Sequence, residues 1–433
     1  MKTVVTELGS YKRQVEVEVD AQEVEPYLEK AYQSYQRKIH IDGFRKGKIP
    51  LSIIKKRFGE AIQAEVADEL VQEFYKKALE EEKLPVVAPG KVQDVSFEAG
   101  KPLRFKAEVE VEPDITVAHY KGFKVEKEIL KTTPDDVKRT LEILQEQQAE
   151  RRPVEGVAEK GHIIEGDIQA LDKTGVPIIG QKWENSVVEL GKPPLGDVIQ
   201  EQLLGVMAGD EKRFTILQPE PDKEGRMQDR EYHYKIKVES VKEKILPELD
   251  DAFAKKVGDV PTLKELEENI FQRLKNQREM EAERLLEHRI ADDIVKRNDF
   301  EVPPSMIENV LMSSWEEYQK NPDRNVDEEK YRQENKPFVV WNVKWHLIQQ
   351  KIVEMENITI TEQDVDEEID KMAKTTPKDE KKIRAQMKDA KRRQRLKDHL
   401  LERKLMAFLK GNVKIKEVVL KKPRQQDSKL ITV

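Results

Sequence analysis

The sequence contains no cysteine. That removes disulfide scaffolds, thiolate-held zinc or iron–sulfur centres and cysteine nucleophiles in one step. Aromatics are scarce at 6%. Long apolar runs are missing too: no stretch reaches the ~18 uncharged apolar residues that a membrane-spanning helix requires. Hydrophobic residues make up 37% of 433 and charged residues 38%, and the mean hydropathy is -0.75. A charged share well above the ~25% of ordinary globular proteins argues against one large core, and the length suggests roughly three domains. The first residues, Met1-Lys2-Thr3-Val4-Val5-Thr6-Glu7, break into charge before any apolar stretch of signal-peptide length. The expectation is a soluble, cytoplasmic protein with no membrane partner.

Ordinary catalytic patterns are also missing. The seven histidines, at 40, 119, 162, 233, 288, 346 and 399, include no pair four residues apart, so a histidine metal site is not expected. Neither a G-x-S-x-G elbow nor an H-E-x-x-H pair occurs, and carboxylates are too abundant for any pair to stand out. The reading calls for no metal and no cofactor.

What is present is strongly patterned. Val15, Val17 and Val19 alternate with Glu16, Glu18 and Asp20, the period of a strand with one wet face. An amphipathic helix is expected over 23–40. After a loop at 42–50, Ile53, Ile54, Phe58, Ile62, Val66, Leu70 and Phe74 recur at helical spacing to about Glu82. Pro85, Pro89 and Gly90 end that helix, and strand-like runs at 92–97 and 103–111 flank a hairpin connection. Residues 1–113 therefore read as an α+β domain. An extended piece over 120–129 precedes Thr133-Pro134-Asp135-Asp136, a helix start in which the Thr cap and the carboxylates satisfy free N–H groups; that helix is expected to reach Arg152. From 153 to 242 the composition shifts, with 10 of the 19 glycines and β-rich runs at 163–171, 213–217 and 232–241, as in a compact β insert. From Leu246 onward the chain reads as helical almost throughout. Pro261-Thr262 with Glu265 forms one start, Pro303-Pro304 forces a break, a long helical region runs from about 305 to 350, and Thr361 with Asp364 opens another helix.

Two cationic clusters stand out. The loop Gly43-Phe44-Arg45-Lys46-Gly47-Lys48-Ile49-Pro50 projects three cations and an aromatic ring from a tight turn, chemistry suited to a phosphate-rich surface. It is not a P-loop, because only three residues separate its glycines and Ile49 stands where a magnesium-binding hydroxyl would be. A solvated basic turn explains the same composition. Residues 371–410 hold 15 Lys/Arg against 5 Asp/Glu. That stretch reads either as a nucleic-acid patch or, with Leu396, Leu400, Leu401, Leu405 and Phe408 at helical spacing beneath it, as a solvated helix face. Met306, Ile307, Leu311, Met312, Trp315, Tyr318, Phe338, Trp341 and Trp345 are apolar points in a polar half. Most suit helix–helix packing, and an exposed minority with adaptable Met suits weak binding of unfolded chains.

The loop 43–50, with Val111-Glu112-Pro113-Asp114, Tyr120-Lys121-Gly122-Phe123-Lys124-Val125 and the run from Leu246 to Gly258, resembles the bacterial trigger factor family over nearly the full length. The resemblance implies a multidomain α+β protein. Its parts would be a ribosome-binding domain at 1–113, a linker and first body helix at 114–152, an FKBP-like peptidyl-prolyl isomerase domain at 153–242, and an elongated, discontinuous, all-helical chaperone body with arms at 243–433. It implies an ATP-independent chaperone whose partners are the large ribosomal subunit near the peptide exit and unfolded nascent polypeptides; a homodimer off the ribosome stays open. Phe44, Arg45 and Lys46 would touch the ribosome, with Gly43, Gly47, Lys48 and Pro50 shaping the loop.

The insert departs from the family pattern. Gly196-Asp197-Val198-Ile199-Gln200 stands where the family has Ile-Pro-Gly-Phe-Glu, and the Asp-Phe ending the first strand is replaced by Leu171-Asp172. Trp183, Ile199, Phe214, Tyr232 and Tyr234 remain as candidates for a proline pocket, none of them singled out as catalytic, and the erosion implies an isomerase activity that is weak or lost. Two rival readings remain: prolyl isomerisation as the main activity, or RNA binding through the tip and the 371–410 cations.

Overall fold

The computed structural model describes residues 1–42, 44–45, 47–193, 196–221, 227–320, 326–375 and 380–420. It is a multidomain α+β architecture with an α+β start, a β-rich middle and a helical C-terminal half. In the first part, strands β1 (Lys2–Glu7) and β2 (Lys12–Val19) are followed by helices α1 (Ala21–Lys38) and α2 (Leu51–Glu81), then strands β3 (Val86–Ser96) and β4 (Leu103–Val111). The strands form an antiparallel sheet in the order β1-β2-β4-β3. The alternation at Val15, Val17 and Val19 continues across the sheet into Leu103, Phe105, Ala107, Val109 and Val111, and all of these are buried. Ile54, Ile62, Val66, Leu70 and Phe74 of α2 close over that face with Val24, Leu28 and Tyr32 of α1.

The expected break at Pro89-Gly90 is instead part of β3. The register against β4 shifts three times along that strand, and such bulges accommodate a proline that cannot donate to the ladder. Gly90 is required there because a Cβ would lie 2.5 Å from Val109 Cγ1.

Strand β5 (Lys124–Leu130) leads into α3 (Pro134–Gln147), whose capping box joins Thr133 and Asp136. The helix stops short of the expected Arg152, because Glu150–Pro153 form strand β6 against a later strand; Arg152, directly before a proline, favours extended backbone. The middle part adds β7 (Ile163–Leu171), β8 (Pro177–Glu189), α4 (Gly196–Leu203), β9 (Glu211–Pro221) and β10 (Met227–Ile245). The sheet order is β6-β10-β7-β8, with β9 also on β10. Ile164, Ile168, Ile236 and Val238 of the sheet bury against Ile199 and Leu203 of α4. Sequence reading missed α4, and it missed β8 because residues 177–185 are exposed on both faces and so carry no alternation.

The helical half comprises α5 (Asp251–Gly258), α6 (Leu263–Arg297), α7 (Pro304–Gln319), α8 (Glu328–Met355), α9 (Glu362–Thr375), α10 (Glu380–Gln386) and α11 (Ala390–Asn412), followed by strand β11 (Lys414–Leu420). It departs from expectation twice. The helical region expected over 305–350 is two helices, and the half expected to be all-helical contains a strand that pairs with β5. The partner strand supplies the reason: Gly122 N donates to Asn412 O at 2.8 Å and Lys414 N to Phe123 O at 2.8 Å. Ile115, Val117, Tyr120, Phe123 and Val125 thereby join Leu286, Ile290, Leu347, Ile348 and Leu409 in one apolar cluster, so the helical core is discontinuous in sequence. The chain divides into two compact units, Met1–Glu128 with Glu283–Val418, and a second built on Ile129–Ala282. These units cut across the four segments read from the sequence.

Candidate functional site

The loop between α1 and α2 is held at its base and bare at its tip. Ile41 and Ile49 are buried in the sheet module's core, and Gln36 Nε2 donates to Ile49 O at 2.6 Å. Pro50 O accepts from Ile53 N and Ile54 N at 3.0 and 3.3 Å, which starts α2. Between these anchors Arg45 and Lys48 are exposed, and Phe44 leaves 37% of its surface to solvent. Gly47 has φ +79 with open space around it, so the backbone conformation rather than room calls for glycine. Gly43 and Lys46, two of the residues picked out in the sequence, lie outside the described residues.

The flanks enlarge this site in a way the motif did not announce. Residues 37–57 hold eight Lys/Arg and one acidic residue, Asp42. The helix ends bring Arg37, Lys38, Lys55, Lys56 and Arg57 to the base of the loop, all of them exposed. Lys55 Nζ sits 5.2 Å from the Tyr32 ring centroid, and His40 meets Asp42 at 3.7 Å. Among the described residues, Arg37, Lys38, Arg45, Lys48, Lys56 and Arg57 form no ion pair. The signal was in the sequence, as a scarcity of carboxylates over twenty residues.

The second cationic cluster is different. Arg393 pairs with Glu362 and Asp366 at 2.8 and 3.0 Å, and Arg403 with Glu368 at 2.8 Å. Arg384 pairs with Asp370 at 2.7 Å, and Lys410 with Glu283 and Glu287 at 2.7 and 2.9 Å. Carboxylates of α9 thus pair with Arg393, Lys397 and Arg403 of α11, whereas among the described residues Lys391, Arg392 and Arg395 form no ion pair; Arg393 and Arg403 hold Glu362 and Glu368 below the usual carboxylate range. Leu400 and Leu405 are buried beneath the cations. The helix-face reading accounts for the paired cations and the buried leucines of this cluster.

The apolar points of the helical half also divide. Leu311 is buried, while Met306, Ile307, Trp341 and Trp345 pack partly buried against the same core. Met312 and Phe338 are 47% and 40% exposed. Trp315, Tyr318 and Tyr331 gather with ring centroids 4.8–5.6 Å apart. A cleft of about 690 Å³ runs between α8 and α11 over Val353, Leu401 and Leu405, rimmed by His346, Glu354, Asp398 and Glu402. Another, of about 640 Å³, lies between α7 and α8. Helical spacing gave the faces; which helices pair to make clefts depends on packing distant in sequence.

Of the pocket candidates, the structure brings four together. Phe214 and Tyr234 stack at 5.5 Å, Trp183 lies 6.2 Å from Tyr234, and Ile199 and Phe214 share the core against which Tyr234 packs. Tyr232 stands apart, its hydroxyl bound to Glu220. Gln202 of α4 pins β9, its side chain donating to Thr215 O at 2.9 Å and accepting from Thr215 N at 2.8 Å. An aromatic row above a buried aliphatic floor is thus present.

Among the described residues, no helix is long and apolar enough to cross a membrane, and no group of three or more His, Asp or Glu is placed to hold a metal. Family models for bacterial trigger factor protein match residues 1–144, and for its C-terminus residues 262–411. The chain is 33% identical to the trigger factor of Natranaerobius thermophilus over 429 residues, covering 96% of each. It is 33% identical to that of a Geobacillus species, covering 92% of this chain and 96% of the relative. A solved structure of a trigger factor chaperone, studied for promiscuous substrate recognition in folding and assembly, is similar with a TM-score of 0.50 at 21% identity, covering 94% of this chain and 99% of its own. That likeness concerns the fold.

Proposed function

Because the chain belongs to the bacterial trigger factor family, a family of chaperones, we propose that it is a cytoplasmic, ATP-independent chaperone that docks on the large ribosomal subunit near the peptide exit and shields nascent polypeptides. Docking is assigned to 1–113 through Phe44, Arg45 and Lys46, with Gly43, Gly47, Lys48 and Pro50 shaping the loop. Client binding is assigned to 114–152 together with 243–433. The observation that carries the reading is the crowding of unpaired cations around an exposed ring: among the described residues Arg37, Lys38, Arg45, Lys48, Lys56 and Arg57 are exposed and form no ion pair, and Phe44 beside them is 37% exposed. Unpaired cations around a ring favour a phosphate-bearing partner, since no internal pair is broken on binding. The clefts and exposed Met312 and Phe338 suit clients that must be held weakly and let go.

Replacing Phe44, Arg45 and Lys46 together with Ala abolishes co-sedimentation with ribosomes while the circular dichroism spectrum and suppression of client aggregation persist. Undiminished ribosome binding by that variant overturns the docking assignment. Equal affinity of the parent protein for naked RNA and for intact ribosomes would favour the RNA-binding alternative.

A second activity, prolyl isomerisation in 153–242, is favoured by the Trp183, Phe214 and Tyr234 row over Ile199. An apolar aromatic wall assists isomerisation by holding the imide out of water. A protease-coupled proline-peptide assay is expected to give a low rate that falls further in Trp183→Ala; a parent rate at background removes this activity and leaves the chaperone reading intact.

A further inference from the structure

The sheet module and the helical core meet within one compact unit, yet share no apolar core. The module's buried cluster ends at Val111 and the helical cluster begins at Ile115, with no residue common to both. One strand of chain, Glu112-Pro113-Asp114, crosses between them. A cavity of about 220 Å³ lies at the crossing, lined by Pro85, Glu112, Pro113 and Ile115 from one side and Leu347 and Lys351 from the other. Side-chain hydrogen bonds span the junction instead of burial.

The shortest of these bonds involves a helix without a cap of its own. Helix α7 begins at Pro303-Pro304, and Pro303 at its N-cap makes no side-chain cap bond. By contrast, α5, α8 and α11 are capped by Asp250, Asp327 and Asp389 immediately before them. The cap of α7 comes from the sheet module: Ser305 donates to Glu110 Oε2 from its backbone N at 3.0 Å and from its Oγ at 2.5 Å. Glu110 belongs to β4 and points away from the sheet's core, in step with the alternation of that strand. A carboxylate on a free helical N–H is favoured both by hydrogen bonding and by the helix dipole. Beside it, Ser10 Oγ donates to Glu301 Oε2 at 3.0 Å, with both side chains exposed. Asp114 meets Lys351 at 3.2 Å with the carboxylate almost fully in water, where ion pairs contribute little.

We propose that Glu110 is a detachable clasp that sets the orientation of the sheet module on the helical core. Releasing it frees the module to swing about Glu112-Pro113-Asp114, because no shared core resists the motion. Glu110 lies outside the docking loop and the clefts; its partner Ser305 borders the cleft between α7 and α8, and the proposed motion does not rest on the roles assigned to either.

The absence of cysteine makes the test direct. Spin labels at Val95→Cys on the sheet and Met355→Cys on α8, both on exposed side chains, report the separation by pulsed electron resonance. Glu110→Ala is expected to broaden and shift that distance distribution, and Glu110→Gln, which keeps an acceptor but loses the charge, to do so less. Label pairs within the sheet (Val4→Cys with Val95→Cys) and within the helical core (Met312→Cys with Met355→Cys) are expected to keep their distances. A Glu110→Ala distribution that superimposes on the parent overturns the proposal, and so does a change within either control pair, since that would show deformation of a part and not movement between parts.

Discussion

At the scale of single residues, Asp136 carries more than its place in a capping box. Its Oδ2 accepts from Thr133 N, Thr133 Oγ1 and Arg278 Nη1, each at 2.8 Å. The Arg278 guanidinium, then the Thr133 amide, hold its carboxyl far below the usual carboxylate range. A depressed folded-state pKa adds stability that is complete above the unfolded value of about 4 and is lost as pH falls through the lower folded value. Asp136→Ala is therefore expected to fray the first turn of α3 at neutral pH, raising amide exchange at Asp135–Val137, with a cost of about 1–2 kcal/mol for the missing cap. Under strong acid the parent should approach the variant. The Thr133-Pro134-Asp135-Asp136 start could be read directly from the sequence, because a cap is made by neighbours. Arg278 could not, being a partner supplied by another helix.

At the scale of elements, legibility followed whether an element's partner lies nearby and whether one face is dry. Strand β2 and helix α2 each bury one face and were readable from period alone. Strand β8 has neither face buried over 177–185 and left no pattern. Strand β11 was hidden because its place is set by β5, far earlier in the chain. In the β-rich part the two sheet neighbours β7 and β10 approach unusually closely at Gly166, where a Cβ would stand 2.1 Å from Lys237 O. Gly166→Ala is expected to destabilise this sheet by about 1–3 kcal/mol, the usual cost of overpacking, seen as a lower midpoint for loss of its Trp183 fluorescence. The α9–α11 pair predicts a different outcome: Arg393→Gln and Arg403→Gln should leave ribosome binding unchanged, since those cations already face Glu362, Asp366 and Glu368. A large drop in ribosome affinity in these variants would reopen the nucleic-acid reading of that helix.

At the scale of the molecule, the net charge of -7 hides local surpluses: among the described residues, Arg45 and Lys48 of the loop between α1 and α2, with Arg37, Lys38, Lys56 and Arg57 at its base, form no ion pair. Affinity for ribosomes should therefore fall with salt, and removing Lys56 and Arg57 should flatten that dependence by about 0.7–0.9 in log–log slope for each phosphate the protein ceases to neutralise. An unchanged slope would confine docking to the loop tip. The motif at 43–50 was legible because it is contiguous; the flanking cations needed two helix ends to be brought together. The discontinuous helical core has one more consequence, in the order of synthesis. The sheet module's core is built entirely from the first 111 residues, so this part can fold as soon as it emerges. Segment 115–125, however, completes its set of partners only when α11 and Lys414 have been made, and long-range closure of this kind is slow. Until then its apolar side chains are themselves an unfolded, newly made polypeptide, and the protein passes through the same exposed state that it is proposed to guard in others.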